Sequence, residues 1–242
     1  MADMKSRILF DERANDIEEY FSFIGMLINK KPSLSYQDGS SIKTERISMD
    51  MTHILKSNAW ILLYNLIEAT ISNAIEDIHD EILSNNSLSA DLLCINLTKI
   101  ALKNIDESTI NDFDYGSFDA SKIILDSWLK KHKSLVENNK NPLFSGNVDA
   151  KKIRKIADSY GFSFKTDKNK TRNGACLVNI KNSRNSLAHG SNSFREKGRE
   201  TSIDELLKFK NEVIYYLDGI LDNIESYIYA KKFLRQPITS DL

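Results

Sequence analysis

The chain is poor in the residues that would assign a function class at once. Its 242 residues include two cysteines, Cys94 and Cys176, far apart and without a Cys-x-x-Cys pair. This pattern indicates neither a disulfide framework nor a zinc site, and it favours a reducing, cytoplasmic location. The nine glycines are scattered and form no phosphate-binding loop. The first residues show no apolar core followed by a small-residue cleavage site, so no secretory signal is expected.

Long apolar runs and an excess of positive charge are absent as well. The longest apolar run, residues 59–64, ends at Asn65, well short of the ~20 residues that a membrane helix needs. With 33 basic and 34 acidic residues the net charge is −1, whereas a protein that contacts nucleic-acid phosphates is usually basic. The basic residues are clustered, however, because residues 151–181 contain only two acids, Asp158 and Asp167.

What the sequence does contain is helical periodicity. The three prolines, Pro32, Pro142 and Pro237, fall between segments whose apolar residues recur at spacings of three and four. Helices are predicted over residues 9–30, 47–83, 89–104, 119–136, 147–160, 175–189 and 201–234, with polar loops over 31–46 and 162–174. Ser202 and Glu205 match a capping box, and Gly190 is placed for a left-handed helix end. No strand pattern of useful length is evident.

These segments predict an all-α protein. Two long apolar helices with shorter ones between them indicate a helical bundle in one domain, residues 1–242, with an inserted helical segment at about residues 85–145.

One short stretch combines residues suited to phosphate chemistry. Arg184 and His189 lie near the end of the helix predicted over 175–189, where the exposed carbonyls favour a protonated imidazole. Five residues rotate a helix by about 140° beyond one turn and advance it by ~7.5 Å, so one straight helix does not aim both side chains at one phosphate. A bend at the helix end, or a second copy related by a two-fold axis, would bring them together.

An arginine and a histidine together supply the chemical groups that RNA cleavage needs in the absence of a metal. The reaction needs proton transfer at the 2′-hydroxyl and at the leaving 5′-oxygen, and a cation for the charged phosphorane. The other histidines, His53, His79 and His132, are not spaced as metal ligands, so neither a metal nor another cofactor is expected. Taken alone, however, an arginine followed five residues later by a histidine is weak evidence, because chance produces such pairs.

The surrounding sequence resembles a known superfamily. Residues 180–190 read Ile-Lys-Asn-Ser-Arg-Asn-Ser-Leu-Ala-His-Gly and are followed by Ser193-Phe194 and Gly198-Arg199. They are similar to the HEPN signature, in which an arginine and a polar residue precede a histidine by a few positions. Residues 55–70 also resemble a prokaryotic branch found at toxin–antitoxin and phage-defence loci. The resemblance covers the two long helices and the motif helix, and not residues 85–145.

The resemblance implies a metal-independent endoribonuclease that acts as a homodimer on RNA and is often restrained by an antitoxin protein. Arg184 and His189 would then be catalytic, and Asn185 would bind phosphate or orient the site.

The residues suggest further contributors. Asn65 and Glu68 interrupt the most apolar helix and are predicted to point inward and support the motif helix. Arg195 and Arg199, with Lys197 in a polar loop, are candidates for holding RNA phosphates. Two alternatives stay open: a catalytically inactive HEPN module that binds nucleotide or protein, and a helical scaffold with a chance motif.

Overall fold

The computed structural model describes residues 4–105, 119–138, 140, 143–144 and 146–236, and these residues form an all-α fold. The helices are α1 (Lys5–Lys30), α2 (Met49–Ser84), α3 (Ile95–Lys103), α4 (Ala120–Glu137), α5 (Ala150–Tyr160), α6 (Lys168–Thr171), α7 (Cys176–Ala188), α8 (Phe194–Glu200) and α9 (Ile203–Tyr229). A short 3₁₀ turn, Arg172–Gly174, precedes α7, and two strands, β1 (Ser33–Asp38) and β2 (Ser41–Arg46), follow α1.

Helix α2 is the central element. The Ser48 side chain accepts a hydrogen bond from the Met51 amide, 3.1 Å, and 36 residues follow without glycine or proline, so the helix is ~54 Å long. Its aliphatic residues are buried along almost the whole length, because α1, α7, α8 and α9 pack around it. No helix among the described residues is long and apolar enough to cross a membrane.

The predicted ends of the helices are largely confirmed. Asp149 caps α5, and Gly161 ends it with φ +92°, while Ser202 accepts a hydrogen bond from the Glu205 amide at the start of α9. Two helices are shorter than predicted by five residues or more at one end: α3 begins at Ile95, and α9 ends at Tyr229. Both α3 and α4 lie within the predicted insert, of which residues 106–118, 139, 141–142 and 145 are outside the described part.

The prediction of a loop over residues 31–46 is wrong, because β1 and β2 form an antiparallel hairpin there. Asp38 pairs with Ser41 across a two-residue turn, and Gly39 has φ +61°, a conformation that glycine adopts without strain and that suits a hairpin turn. Every residue of both strands is exposed. The hairpin therefore has no buried face, and an alternating apolar pattern is absent for that reason.

The polar loop predicted around Arg195, Lys197 and Arg199 is also wrong, because these residues belong to α8. Ser193 and Glu196 form a reciprocal capping box at its start. Seven residues are too few for apolar periodicity to show. Similarly, the loop predicted over 162–174 contains α6 and the 3₁₀ turn.

Candidate active site

The Arg184–His189 stretch ends α7 in a Schellman motif. Gly190 has φ +71°, its amide donates to the Leu187 carbonyl at 3.3 Å, and the Ser191 amide donates to the Ser186 carbonyl at 2.9 Å. These two bonds satisfy carbonyls that would otherwise be free at the helix end. His189 is the last residue before the turn, with φ −92° and ψ 1°. The predicted left-handed position of Gly190 is thus confirmed.

Arg184 is held in a half-buried position against α2. Its guanidinium carbon lies 4.5 Å from the centre of the Tyr64 ring, a cation–π contact. Its Nη1 donates to the Asn185 side-chain oxygen at 3.0 Å and to the Gly146 carbonyl at 3.4 Å. Gly146 has φ +79°, and a Cβ there would lie 3.6 Å from Nη1, so the backbone comes close to the guanidinium. Nε and Nη2 have no acceptor among the described residues.

The segment before α5 completes the surroundings of the arginine. The Val148 amide donates to the Tyr64 hydroxyl at 3.1 Å, and Asn185 donates to the Asn147 side chain at 2.9 Å. Burial raises the pKa of the Tyr64 hydroxyl, which therefore stays neutral at physiological pH. The Tyr64 ring and the segment before α5 therefore hold each other in place next to Arg184.

An ion pair joins the same segment to α7. Lys181 Nζ lies 2.5 Å from Asp149 Oδ2, and both side chains are less than one-fifth exposed. Burial acts to raise the pKa of Asp149, but the hydrogen bond and charge of Lys181 and the amide hydrogen bonds of the α5 cap outweigh it and lower that pKa. Asp149 is consequently ionised at neutral pH, and it ties the start of α5 to the motif helix.

His189 takes no part in this network. Its side chain is exposed and makes no hydrogen bond within the part of the chain that the structure describes. Arg184 points towards α2, whereas His189 points to solvent. One chain therefore places the two motif residues at the same helix end, but it does not direct them at one point.

Arg195 and Arg199 form a separate cluster. Both pair with Asp50 in the first turn of α2, at 3.4 and 3.2 Å, and both are about half exposed. Asp50 precedes Tyr64 by fourteen helical residues, or ~21 Å along the axis. The structure thus does not bring these arginines to Arg184.

The predicted support by Asn65 is wrong, because Asn65 is exposed. Its neighbours Tyr64, Leu66 and Ile67 occupy the buried side of α2, which leaves Asn65 on the solvent side. Glu68 is partly buried and raises the pKa of Tyr64 through its charge, and no described hydrogen bond joins it to α7. The residue that contacts Arg184 is Tyr64, an aromatic residue one position before the predicted one.

A basic cleft lies at the other end of α7. It has a volume of about 830 Å³, and four of its lining residues are cations: Lys151, Arg154, Lys165 and Arg172. Arg172 pairs with the buried Glu212 at 2.8 Å, and Arg154 donates to the Asn173 carbonyl. Lys151 and Lys165 have no side-chain partner among the described residues. The basic stretch of the sequence therefore forms a positive surface despite the net charge of −1.

Comparison with known proteins decides the family. A sequence profile described as HEPN_MAE_28990-like HEPN matches residues 6–233. The chain belongs to this HEPN family. The HEPN match includes α1, α2 and the motif helix α7, and it also includes residues 85–145. No curated protein and no solved structure gives a significant match.

Proposed function

We propose that this HEPN protein is a metal-independent endoribonuclease in which Arg184 and His189 act on the scissile phosphate. The observation that carries the proposal is the contrast between the two side chains. Arg184 is fixed by Tyr64 and Asn185 while Nε and Nη2 have no acceptor among the described residues, and His189 is exposed at the end of the same helix. A positioned guanidinium suits a phosphate, and an accessible imidazole suits proton transfer.

The proposed reaction begins with the 2′-oxygen of the ribose. This oxygen loses its proton to a base and attacks the adjacent phosphorus, while the bond from phosphorus to the 5′-oxygen breaks and that oxygen takes up a proton. The products are a 2′,3′-cyclic phosphate and a 5′-hydroxyl, so no water and no metal enter this step. His189 acts as the general acid or base, Arg184 stabilises the negative phosphorane, and Asn185 keeps the guanidinium aligned.

Two copies of the chain are proposed to form the complete site. Within one chain Arg184 and His189 point in different directions, and one imidazole supplies only one of the two proton transfers. A two-fold axis near the end of α7 places both histidines and both arginines around one phosphate. Light scattering tests this stoichiometry, and a monomer at micromolar concentration would contradict a shared site.

The cations away from the motif support a polynucleotide substrate. The basic cleft reaches Val178, which lies ~9 Å before Arg184 along α7, and the cluster of Arg195 and Arg199 lies ~20 Å from Arg184. A strand of several nucleotides would be needed to contact the motif and both sets of cations. Phosphate contacts of this kind position a strand without reading its sequence.

The decisive experiment is an RNase assay in EDTA. The wild type should produce 2′,3′-cyclic phosphate ends. His189→Ala should reduce the rate by about 10²-fold or more, the usual range for a general acid–base group, and Arg184→Ala should reduce it by about 10²-fold or more through loss of charge stabilisation. Lys208→Ala, an exposed change on α9, is the matched control and should leave the rate unchanged. Absence of cleavage by folded wild type would instead favour an inactive HEPN module that binds nucleotide or protein.

We further propose that the biological role is that of a toxin or defence effector restrained by an antitoxin protein. Expression of the wild type should then inhibit growth, and His189→Ala should abolish the inhibition at equal protein level. Inhibition that persists in His189→Ala would contradict this role.

A further inference from the structure

A second cluster of chemically active side chains lies in the helical core, away from the motif. Glu76 and His79 come from α2 and His132 comes from α4. One potential ligand atom from each residue lies within 4.8 Å of the others. Glu76 and His132 are hydrogen-bonded through Oε1 and Nε2, and the two imidazole rings are 4.0 Å apart at an angle of 80°.

The two histidines of the cluster are buried, Glu76 is about one-third exposed, and the hydrogen bonding of the described residues is incomplete. His79 is 2% exposed and His132 is 6% exposed. His79 Nε2 pairs with the Tyr160 hydroxyl at 3.0 Å, while its Nδ1 is buried and has no partner among the described residues. A buried polar atom without a partner is costly, and such atoms in folded proteins call for an explanation. The unpartnered nitrogen of His79 is one observation that points to a ligand.

The donor types agree with metal binding. Two imidazoles and a carboxylate match the nitrogen and oxygen ligands of zinc and related transition-metal ions.

The distances require only a small adjustment. Metal–ligand bonds of about 2.0–2.1 Å in a tetrahedral site separate two ligand atoms by ~3.4 Å. Donors that lie up to 4.8 Å apart would therefore close by about one ångström around an ion, whereas Glu76 Oε1 and His132 Nε2, which are hydrogen-bonded to each other, would move apart to admit it. His132 and Tyr160 also line a cleft of about 270 Å³, which gives a route from solvent and room for a water molecule as a further ligand.

We propose that Glu76, His79 and His132 form a binding site for a divalent transition-metal ion of the zinc type, with Tyr160 as a hydrogen-bonding neighbour. The ion links α4 to α2 and so fixes the inserted segment on the central helix. Glu76 lies twelve residues beyond Tyr64 on α2, ~18 Å along the axis. The ion therefore has no part in RNA cleavage, and the proposal does not depend on the ribonuclease.

The test is calorimetric titration of the full-length, EDTA-treated protein with Zn²⁺, followed by metal analysis after gel filtration. One ion per chain is expected. Loss of an outer neighbour of a metal ligand typically weakens binding by about 10–100-fold, so Glu76→Gln and His132→Gln, which each remove a ligand, should weaken binding by at least that factor. The matched control is His53→Gln, which removes a histidine of α2 outside the cluster and should bind like wild type.

A second readout covers variants that fold poorly. At a hundredfold excess of Zn²⁺ over its dissociation constant, the wild-type Tm should rise by roughly 5–10 °C, and Glu76→Gln should show little of this rise. Co²⁺ bound to the wild type should give the visible absorption of a low-coordinate ion. Absence of Zn²⁺ and Co²⁺ binding by folded wild type would overturn the proposal, as would equal binding by Glu76→Gln.

Discussion

The same glycine-to-alanine substitution should have opposite effects at two positions. Gly198 lies in α8, and a Cβ built on it would come within 2.5 Å of the His53 carbonyl carbon and 2.9 Å of its Cα. Ordinary carbon contacts are about 3.5–4.0 Å, so α8 and α2 would have to separate by about one ångström. Both obstacles are backbone atoms, which no change of rotamer can move.

The magnitude follows from two opposing contributions. In a helix interior, replacing glycine by alanine stabilises the fold by about 0.5–1 kcal/mol. Overpacking of this kind destabilises it by about 1–3 kcal/mol and sometimes more. Separation also strains the hydrogen bond from Lys56 to the Thr201 carbonyl, 2.7 Å. The expected net loss for Gly198→Ala is about 1–2 kcal/mol, which corresponds to a Tm about 2–8 °C lower at this chain length.

Gly25 is the matched control. It lies inside α1, and a Cβ built on it meets no atom within 4 Å, so only the gain in helix propensity remains. Gly25→Ala should raise the Tm by about 1–4 °C. Thermal unfolding followed by circular dichroism measures both variants. A Gly198→Ala protein as stable as wild type would refute the close packing of α8 on α2, and with it the placement of Arg195 and Arg199 beside Asp50.

Three further predictions concern the surroundings of the motif. Asp149→Asn should keep the cap of α5 but lose the ion pair with Lys181, whereas Asp149→Ala should lose about 1 kcal/mol more. Because folding lowers the pKa of Asp149, its contribution is complete above the unfolded pKa of about 3.9 and is lost as the pH falls from there through the folded pKa. The Tm difference between wild type and Asp149→Asn should therefore shrink as the pH falls below about 4, and a constant difference would contradict the assignment. Tyr64→Phe should cost about 1–3 kcal/mol in urea unfolding, because the buried Val148 amide loses its acceptor, and an unchanged unfolding curve would mean that this hydrogen bond does not form. Gly190→Ala should cost about 1–2 kcal/mol through its positive φ alone, since nothing lies near its Cβ, and a Tm equal to wild type would argue against the Schellman turn.

The sequence alone predicted most of the regular structure. Helix ends such as those at Ser202 and Gly190 involve amides and carbonyls within a few residues, so local sequence is sufficient to recognise them. Apolar periodicity likewise identified α1, α2 and α9, because each buries one long face. The hairpin was missed because neither of its strands buries a face. Helix α8 was missed because its seven residues make fewer than two helical turns, too few for apolar periodicity to show.

Only the tertiary structure decided which side chains meet. Arg184 is placed by Tyr64 and by the backbone at Gly146, far apart in the chain, and no local pattern predicts that contact. Asn65 was expected inside, but the orientation of α2 is set by the combined packing of four other helices, which turns it to solvent. For the same reason His79 and His132, unrelated by spacing along the chain, lie in contact where α4 packs against α2. Periodicity determines which face of a helix is buried, whereas packing against distant segments determines what that face contacts.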